Sequence, residues 1–153
     1  MHIRSATAGD IPSIMNLERQ CATAGHWTEE QYRRAFQREG TTRLVLLAEE
    51  ASTQAETGVL GFLVAHHLSP EWELENIVVA PTSRRKGLGN RLLNALLQSA
   101  KETNSTTVFL EVRESNTAAR TLYEKAGFEQ TCRRKSYYTN PIEDAILYRL
   151  NLL

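Results

Sequence analysis

The sequence predicts a mixed α/β sheet, antiparallel in its first half, with one parallel crossover at its centre. Three observations carry this. The strand-like runs Leu44 to Glu49, Val59 to Leu68 and Trp72 to Ala80 follow one another with short connections, the economical pattern of an antiparallel meander. The third run passes into a glycine-containing turn and then a helix, through Asn76-Ile-Val-Val-Ala-Pro-Thr-Ser-Arg-Arg-Lys-Gly-Leu-Gly-Asn90. Thr106-Thr-Val-Phe-Leu-Glu-Val112 is strand-like again, and a strand, a helix and a strand make a right-handed parallel unit.

Each element has a local cause. Ile3, among polar neighbours, is a short first strand. Thr7 or Asp10 caps a helix whose apolar face is Ile11, Ile14, Met15 and Leu17. Ala22 to Trp27 breaks it. Thr28 then caps a second helix, with Gln31 at capping-box spacing and Tyr32 and Phe36 on one side; Gly40 ends it. Ala51 to Thr57 is polar and loop-like. Pro81 cannot donate to a ladder, so the third meander strand stops there. Leu88, Leu92, Leu93, Leu96 and Leu97 recur at helical spacing to about Glu102. Ser115 or Asn116 caps the last helix, and Gly127 closes it. Phe128 to Arg134 and Ala145 to Leu152 are the last strands, joined through Tyr137-Tyr-Thr-Asn-Pro-Ile.

With 153 residues, the expectation is a single domain over 1–153 with one core. Eighteen basic and eighteen acidic side chains give a formal net charge of zero, so no global field favours nucleic acid; positive charge is local. Cys21 and Cys132 are isolated, with no metal-ligand spacing around them, so no metal is expected. The start of the chain has no signal-like apolar core and no run has transmembrane length, which predicts a cytoplasmic protein with no membrane partner.

The turn is where chemistry concentrates. Arg84, Arg85 and Lys86 precede Gly87 and Gly89, and a helix follows. A helix N-terminus presents unpaired N–H groups and a partial positive charge, so this combination suits a polyanionic phosphate. A P-loop is a poor fit, because no glycine is followed by Lys-Ser or Lys-Thr. Gly87-Leu-Gly-Asn-Arg-Leu92 lacks the third glycine of a dinucleotide fingerprint.

Arg84-x-x-Gly87-x-Gly89 matches the [Q/R]-x-x-G-x-[G/A] signature of the GCN5-related N-acetyltransferases. A second block, Glu111-Val-Arg-Glu-Ser-Asn116-Thr-Ala-Ala-Arg-Thr-Leu-Tyr123-Glu-Lys-Ala-Gly127-Phe128, resembles that family's strand-and-helix segment almost position for position. The closest resemblance is to the branch that acetylates the N-terminal alanine of a small-subunit ribosomal protein. It rests on Glu75-Asn-Ile-Val-Val79, Leu110-Glu-Val-Arg113, Ser115-Asn116, Tyr137-Tyr138, Glu143-Asp-Ala-Ile146 and the loop His26-Trp-Thr-Glu29. The resemblance implies the GNAT fold, with helices on both faces of the sheet, and acetyl-CoA as co-substrate.

It also implies roles. Main-chain N–H groups of Arg85, Lys86, Gly87, Leu88, Gly89 and Asn90 would hold the pyrophosphate, with Arg84 and its neighbours adding charge. Main-chain groups of Ile77, Val78 and Val79 would pair with the pantetheine arm, so that edge of the strand must lie outside any ladder. Asn116 would reach the coenzyme; as a helix cap it has a second explanation. Glu111 is the implied proton acceptor, its alternative being a structural ion pair. Tyr123, with a free phenol pKa near ~10, is the implied proton donor to the leaving thiolate, or a core tyrosine.

Glu73 and Glu75, two apart on a strand, share a face with Ile77 and Val79 on an alternating pattern, and hold or relay a proton from the amine or simply face solvent. Tyr137 and Tyr138, like Trp27, wall a peptide groove or pack. The implied activity is acetyl transfer to a protein N-terminal α-amine by direct attack in a ternary complex. A lysine or small-molecule acceptor stands as the alternative within catalysis, and a non-catalytic acyl-CoA sensor as the alternative outside it.

Overall fold

The computed structural model describes residues 1–21, 27–37, 42–50 and 58–152. The expected helix stop at Gly40, the loop at 51–57 and His26 lie outside them. In order the chain forms β1 (His2–Ser5), α1 (Ile11–Arg19), α2 (Glu29–Ala35), β2 (Arg43–Glu49), β3 (Val59–Leu68), β4 (Glu71–Val79), α3 (Leu88–Glu102), β5 (Thr107–Arg113), α4 (Thr117–Lys125), β6 (Glu129–Thr139) and β7 (Ile142–Asn151). The seven strands form one sheet in the order β1-β2-β3-β4-β5-β7-β6. Among the described residues only β4 and β5 pair in parallel; every other neighbour is antiparallel. That is the GNAT architecture the sequence predicts.

Alternation along the strands feeds two cores. Val45, Leu47, Phe62, Val64 and Val78 pack with Ile11, Ile14 and Leu17 of α1 and Tyr32 and Ala35 of α2. The opposite face puts Leu63, Leu74, Val108, Leu110 and Ile146 against Leu88, Leu92, Leu93 and Leu96 of α3 and Tyr123 of α4. Each fully buried leucine contributes about 1.5–3 kcal/mol of transfer free energy, so both faces are firmly covered.

The helix starts follow the capping chemistry read from the sequence. Thr28 Oγ1 accepts from Gln31 N, and Gln31 Oε1 accepts from Thr28 N. Thr7 caps a one-turn 3-10 segment, Ala8–Asp10, which leads into α1. Asp10 makes no side-chain cap bond to α1: its carboxylate accepts two bonds from Arg4 and one from Thr7 N, each 2.8 Å, the last closing a capping box on the 3-10 turn. Asn116, and not Ser115, caps α4 by accepting from Ala119 N. The last two strands are longer than expected. Ladder pairing runs through Tyr138–Glu143 and Thr139–Ile142, so Tyr137 and Tyr138 sit in β6 itself, with the turn confined to Asn140 and Pro141. No helix among the described residues is long and apolar enough to cross a membrane.

Candidate active site

Two irregularities of β4 create the site. The first is a bulge. Val64 pairs with Asn76 but Ala65 pairs with Leu74, leaving Glu75 as an extra residue. The bulge reverses the alternation, so one expectation needs correction: Ile77 and Val79 lie with Leu74 on the α3 side. Glu73 stands across from His66, and Glu75 bonds Arg43, on the α1–α2 side. A strict period of two cannot see the added residue.

The second irregularity is a splay. β4 and β5 pair only from Glu71–Thr107 to Leu74–Leu110. Beyond that, β5 continues with β7 while Asn76 to Val79 pair only with β3. The β5-facing main chain of Ile77, Val78 and Val79 is therefore out of any ladder, as the pantetheine expectation requires.

A cleft of about 840 Å³ lies at this opening, lined by Ile77, Val78, Val79, Cys21, the turn at Arg84, Arg85 and Gly87 to Asn90, and the start of α4 from Ser115 to Ala119. Arg85 (φ 63) and Gly87 (φ 76) are both left-handed and curl the turn. At Gly89 an added Cβ would sit 3.3 Å from Leu122 Cδ2, so glycine lets α3 and α4 approach. Arg91 N bonds back to Gly87 O at 3.1 Å, so the N–H groups of Leu88, Gly89 and Asn90 ahead of it begin α3 without an intrahelical partner. Unpaired donors at a helix start, beside a concave left-handed turn, fit a pyrophosphate.

The three cations are not equivalent. Arg84 turns back, its Nε 3.4 Å from Val79 O and its Nη2 3.6 Å from Cys21 Sγ. Arg85 lines the cleft, whereas Lys86 lines neither cavity.

A second cavity of about 470 Å³ opens on the other side of the splay, lined by Trp27, Glu73, Glu75, Asn76, Glu111, Tyr123, Tyr137 and Tyr138 among others. Ile77, Asn116 and Ala119 line both cavities, which therefore meet there. All the substrate and catalytic candidates of the sequence converge on this second space.

Their electrostatics differ. Glu75 is held by Arg43 at 2.8 Å, and Glu111 lies 3.3 Å from Arg134. Glu73 makes no hydrogen bond or ion pair with any described residue, and burial, then Glu75 and Glu111, push its carboxyl above the usual range. The Tyr123 phenol is pushed well above its ordinary value by burial and, to a lesser degree, by Tyr138. Its ring packs on Phe128 and Tyr148, and its hydroxyl makes no hydrogen bond to any described residue. Packing and a protonated hydroxyl coexist in one side chain.

On the far wall Arg113 stacks 4.2 Å from the centroid of Tyr138 and bonds Glu143 at 3.3 Å. Glu143 also accepts from Ser115 N, beside Asn116. Tyr137 is about half exposed, edge-on to Tyr138. The sequence expectations missed Arg43, Asn76, Arg113 and Ala119. Asn76 and Ala119 stand inside the two motif blocks and were open to notice; Arg43 has no motif signal. No group of three or more His, Cys, Asp or Glu among the described residues is placed to hold a metal.

Comparison with known proteins agrees with this geometry. The sequence pattern of the Acetyltransferase (GNAT) family matches residues 11–128. The [ribosomal protein bS18]-alanine N-acetyltransferase of Salmonella typhimurium is 34% identical over 143 residues, 92% of this chain and 90% of its own. The crystal structure of the Escherichia coli ribosomal-protein-S18-alanine N-acetyltransferase superposes with a TM-score of 0.81 at 33% identity, covering 99% of this chain and 93% of that one. Arabidopsis thaliana NAA60 in complex with acetyl-CoA shares the fold, with a TM-score of 0.84 at 16% identity and coverage of 99% and 98%. A family match over most of the chain, with relatives a third identical along nearly their whole length, means that the chain belongs to the acetyltransferase (GNAT) family and is an N-acetyltransferase.

Proposed function

We propose that the protein, as a single catalytic domain in the cytoplasm, transfers acetyl from acetyl-CoA to the N-terminal α-amine of a protein. A ribosomal protein that begins with alanine is the acceptor this reading favours. The observation that carries it is the meeting of two cavities at Ile77, Asn116 and Ala119. A coenzyme laid along the unpaired main chain of β4 presents its thioester at that junction, and an amine arriving from the acidic cavity reaches it directly in a ternary complex.

The chain's own groups then divide the work. N–H groups from Arg85 to Asn90 hold the phosphates. Those main-chain groups of Ile77 to Val79 that face the splay, away from β3, orient the arm and polarise the thioester carbonyl. Three carboxyls attract the ammonium, and Glu73 is the one with no ion pair to a described residue, Arg43 acting on it only at longer range. An α-amine has a free pKa near ~8, so one proton must leave before attack. Glu111 accepts it, directly or relayed by Glu73. As the new C–N bond forms and the C–S bond breaks, Tyr123, kept protonated by burial, gives its proton to the departing thiolate.

Two points favour a chain terminus over a lysine side chain or a small amine. The relatives identical at about a third of positions carry names that specify a protein N-terminal alanine. The acceptor cavity is lined by aromatic side chains from separate parts of the chain, Trp27 ahead of α2 and Tyr137 and Tyr138 in β6, which suit the walls around a chain terminus.

The test gives the purified protein acetyl-CoA and three acceptors: an alanine-initiated ribosomal-protein peptide, the same peptide blocked at its N-terminus but carrying lysine, and a panel of small amines. Free thiol and product mass are followed. Acetylation confined to the free α-amine is expected. Turnover only on lysine or small amines would overturn the acceptor, and coenzyme binding with no turnover on any amine would favour a sensor.

A further inference from the structure

Glu18 is buried, 2% exposed, in the last turn of α1, and lines neither cavity. Burying a carboxylate is costly unless its oxygens are bonded, so its partners say what it holds. Oε1 accepts from the main-chain N–H of Trp27 at 2.5 Å, and Oε2 accepts from the hydroxyl of fully buried Tyr32 at 2.7 Å. The Asn76 side chain also hydrogen-bonds Tyr32. Trp27 stacks obliquely on Tyr32, centroids 5.3 Å apart, and Arg43 lies 5.5 Å from the centre of its ring.

One carboxylate therefore links two parts of the acceptor cavity that are far apart in sequence. Trp27 is its aromatic wall ahead of α2. Asn76 follows the bulge at Glu75 and precedes Ile77, where the two cavities meet.

We propose that Glu18 is a positioning residue for the acceptor. Through Trp27 N–H, the Tyr32 hydroxyl and Asn76, it sets the distance between the aromatic wall and the splayed segment of β4, while touching neither substrate. This rests on the functional reading above, which places the acceptor in that cavity. A carboxylate that served stability alone would act on the whole fold. One that positions this wall acts chiefly on the acceptor, because the partners named here, Trp27 and Tyr32, lie outside the turn from Arg84 to Asn90.

The experiment measures KM for both substrates and acrylamide quenching of tryptophan in Glu18→Ala, Glu18→Gln and Tyr32→Phe. Trp72 is 5% exposed, so a quencher in solution reads chiefly the partly exposed Trp27. Glu18→Ala is expected to raise the KM of an alanine-initiated peptide about tenfold, equivalent to about 1.4 kcal/mol, with acetyl-CoA KM within about twofold of the parent and faster quenching. Glu18→Gln, whose amide oxygen still accepts from Trp27 N–H, is expected to restore most of both. Tyr32→Phe keeps the ring and is expected to raise peptide KM about threefold, which decides the matter if Glu18→Ala does not fold.

Equal rises in both KM values, or parental peptide KM and quenching in the alanine and phenylalanine variants, would overturn the proposal. If the parent acetylates no α-amine, the functional reading fails. Quenching, which needs no acceptor, then still decides whether Glu18 holds the wall.

Discussion

The two halves of the site are built from different materials. The coenzyme cleft is mostly main chain: unpaired N–H groups of the turn, the free edge of β4, and glycines that keep side chains out of the way. The acceptor cavity is mostly side chain: three carboxyls, a phenol and three aromatic walls supplied by β4, β5, α4, the β6–β7 hairpin and the segment before α2. Main-chain donors survive every substitution except proline, and otherwise can only be displaced. A side-chain array can change one member at a time. The first half suits a ligand common to a family, and the second suits an acceptor that differs between its members.

The sharpest way to break this contrast is Tyr123→Phe. It keeps the ring that packs on Phe128 and Tyr148 and removes only the hydroxyl. General-acid loss predicts a fall in kcat of about 10²-fold. Coenzyme affinity, measured by calorimetry, is expected to stay at the parental value. A weakened affinity would show that the phenol belongs to the coenzyme half.

Gly87→Val addresses the other half. Space around an added Cβ is open, with nothing within 4 Å, so the substitution acts through φ 76 alone. A side chain in the left-handed region costs about 1–2 kcal/mol, and a β-branched one is worse. Coenzyme KM is expected to rise about tenfold with peptide KM unchanged; parallel rises would mean that the halves are not separable.

The same contrast explains what could be read from the sequence. A main-chain site needs a local recipe: Pro81 ends the strand, Gly87 permits the left-handed turn, and leucines at helical spacing start α3. All of it lies within one contiguous stretch, and the structure follows it. A side-chain site depends on register between distant elements. The bulge at Glu75 reverses the face of Ile77 and Val79, and no residue type announces it. Arg43 reaches Glu75 only because β2 and β4 flank β3. Tyr137 and Tyr138 fall within β6 because pairing resumes after an irregularity between Arg134 and Tyr138, beyond what propensity alone extends. Glu18 carries no motif signal; its burial goes with its bonds to Trp27 and Tyr32, which lie beyond α1.

Charge within the acceptor half gives a pH test. Glu73 is raised by burial, then by Glu75 and Glu111, and lowered by Arg43. Its carboxylate form fades as pH falls through that raised value, which sets the acid limb of kcat/KM. Glu75→Gln removes a neighbouring negative charge and frees Arg43, and both changes favour the ionised form of Glu73. The acid limb is therefore expected to move to lower pH, with a several-fold gain on its lower slope and little change at neutral pH. A limb that moves up, or does not move, would remove Glu73 from the proton path.

The smallest effect is expected at Lys86, and it separates composition from geometry. Arg84-Arg85-Lys86 reads as three equal cations beside a phosphate turn. In the structure Arg84 is tied to Val79 O and Cys21, Arg85 lines the cleft, and Lys86 lines neither cavity. An exposed charge off the cleft acts only through screened solvent, where even contacting pairs contribute about 0–1 kcal/mol. Lys86→Ala should change coenzyme KM by less than about twofold and lose that effect in high salt, while Arg85→Ala raises it several-fold. Equal losses at the two positions would mean that the net charge of the turn holds the phosphates. Main-chain donors would then be secondary, and the contrast between the two halves would give way.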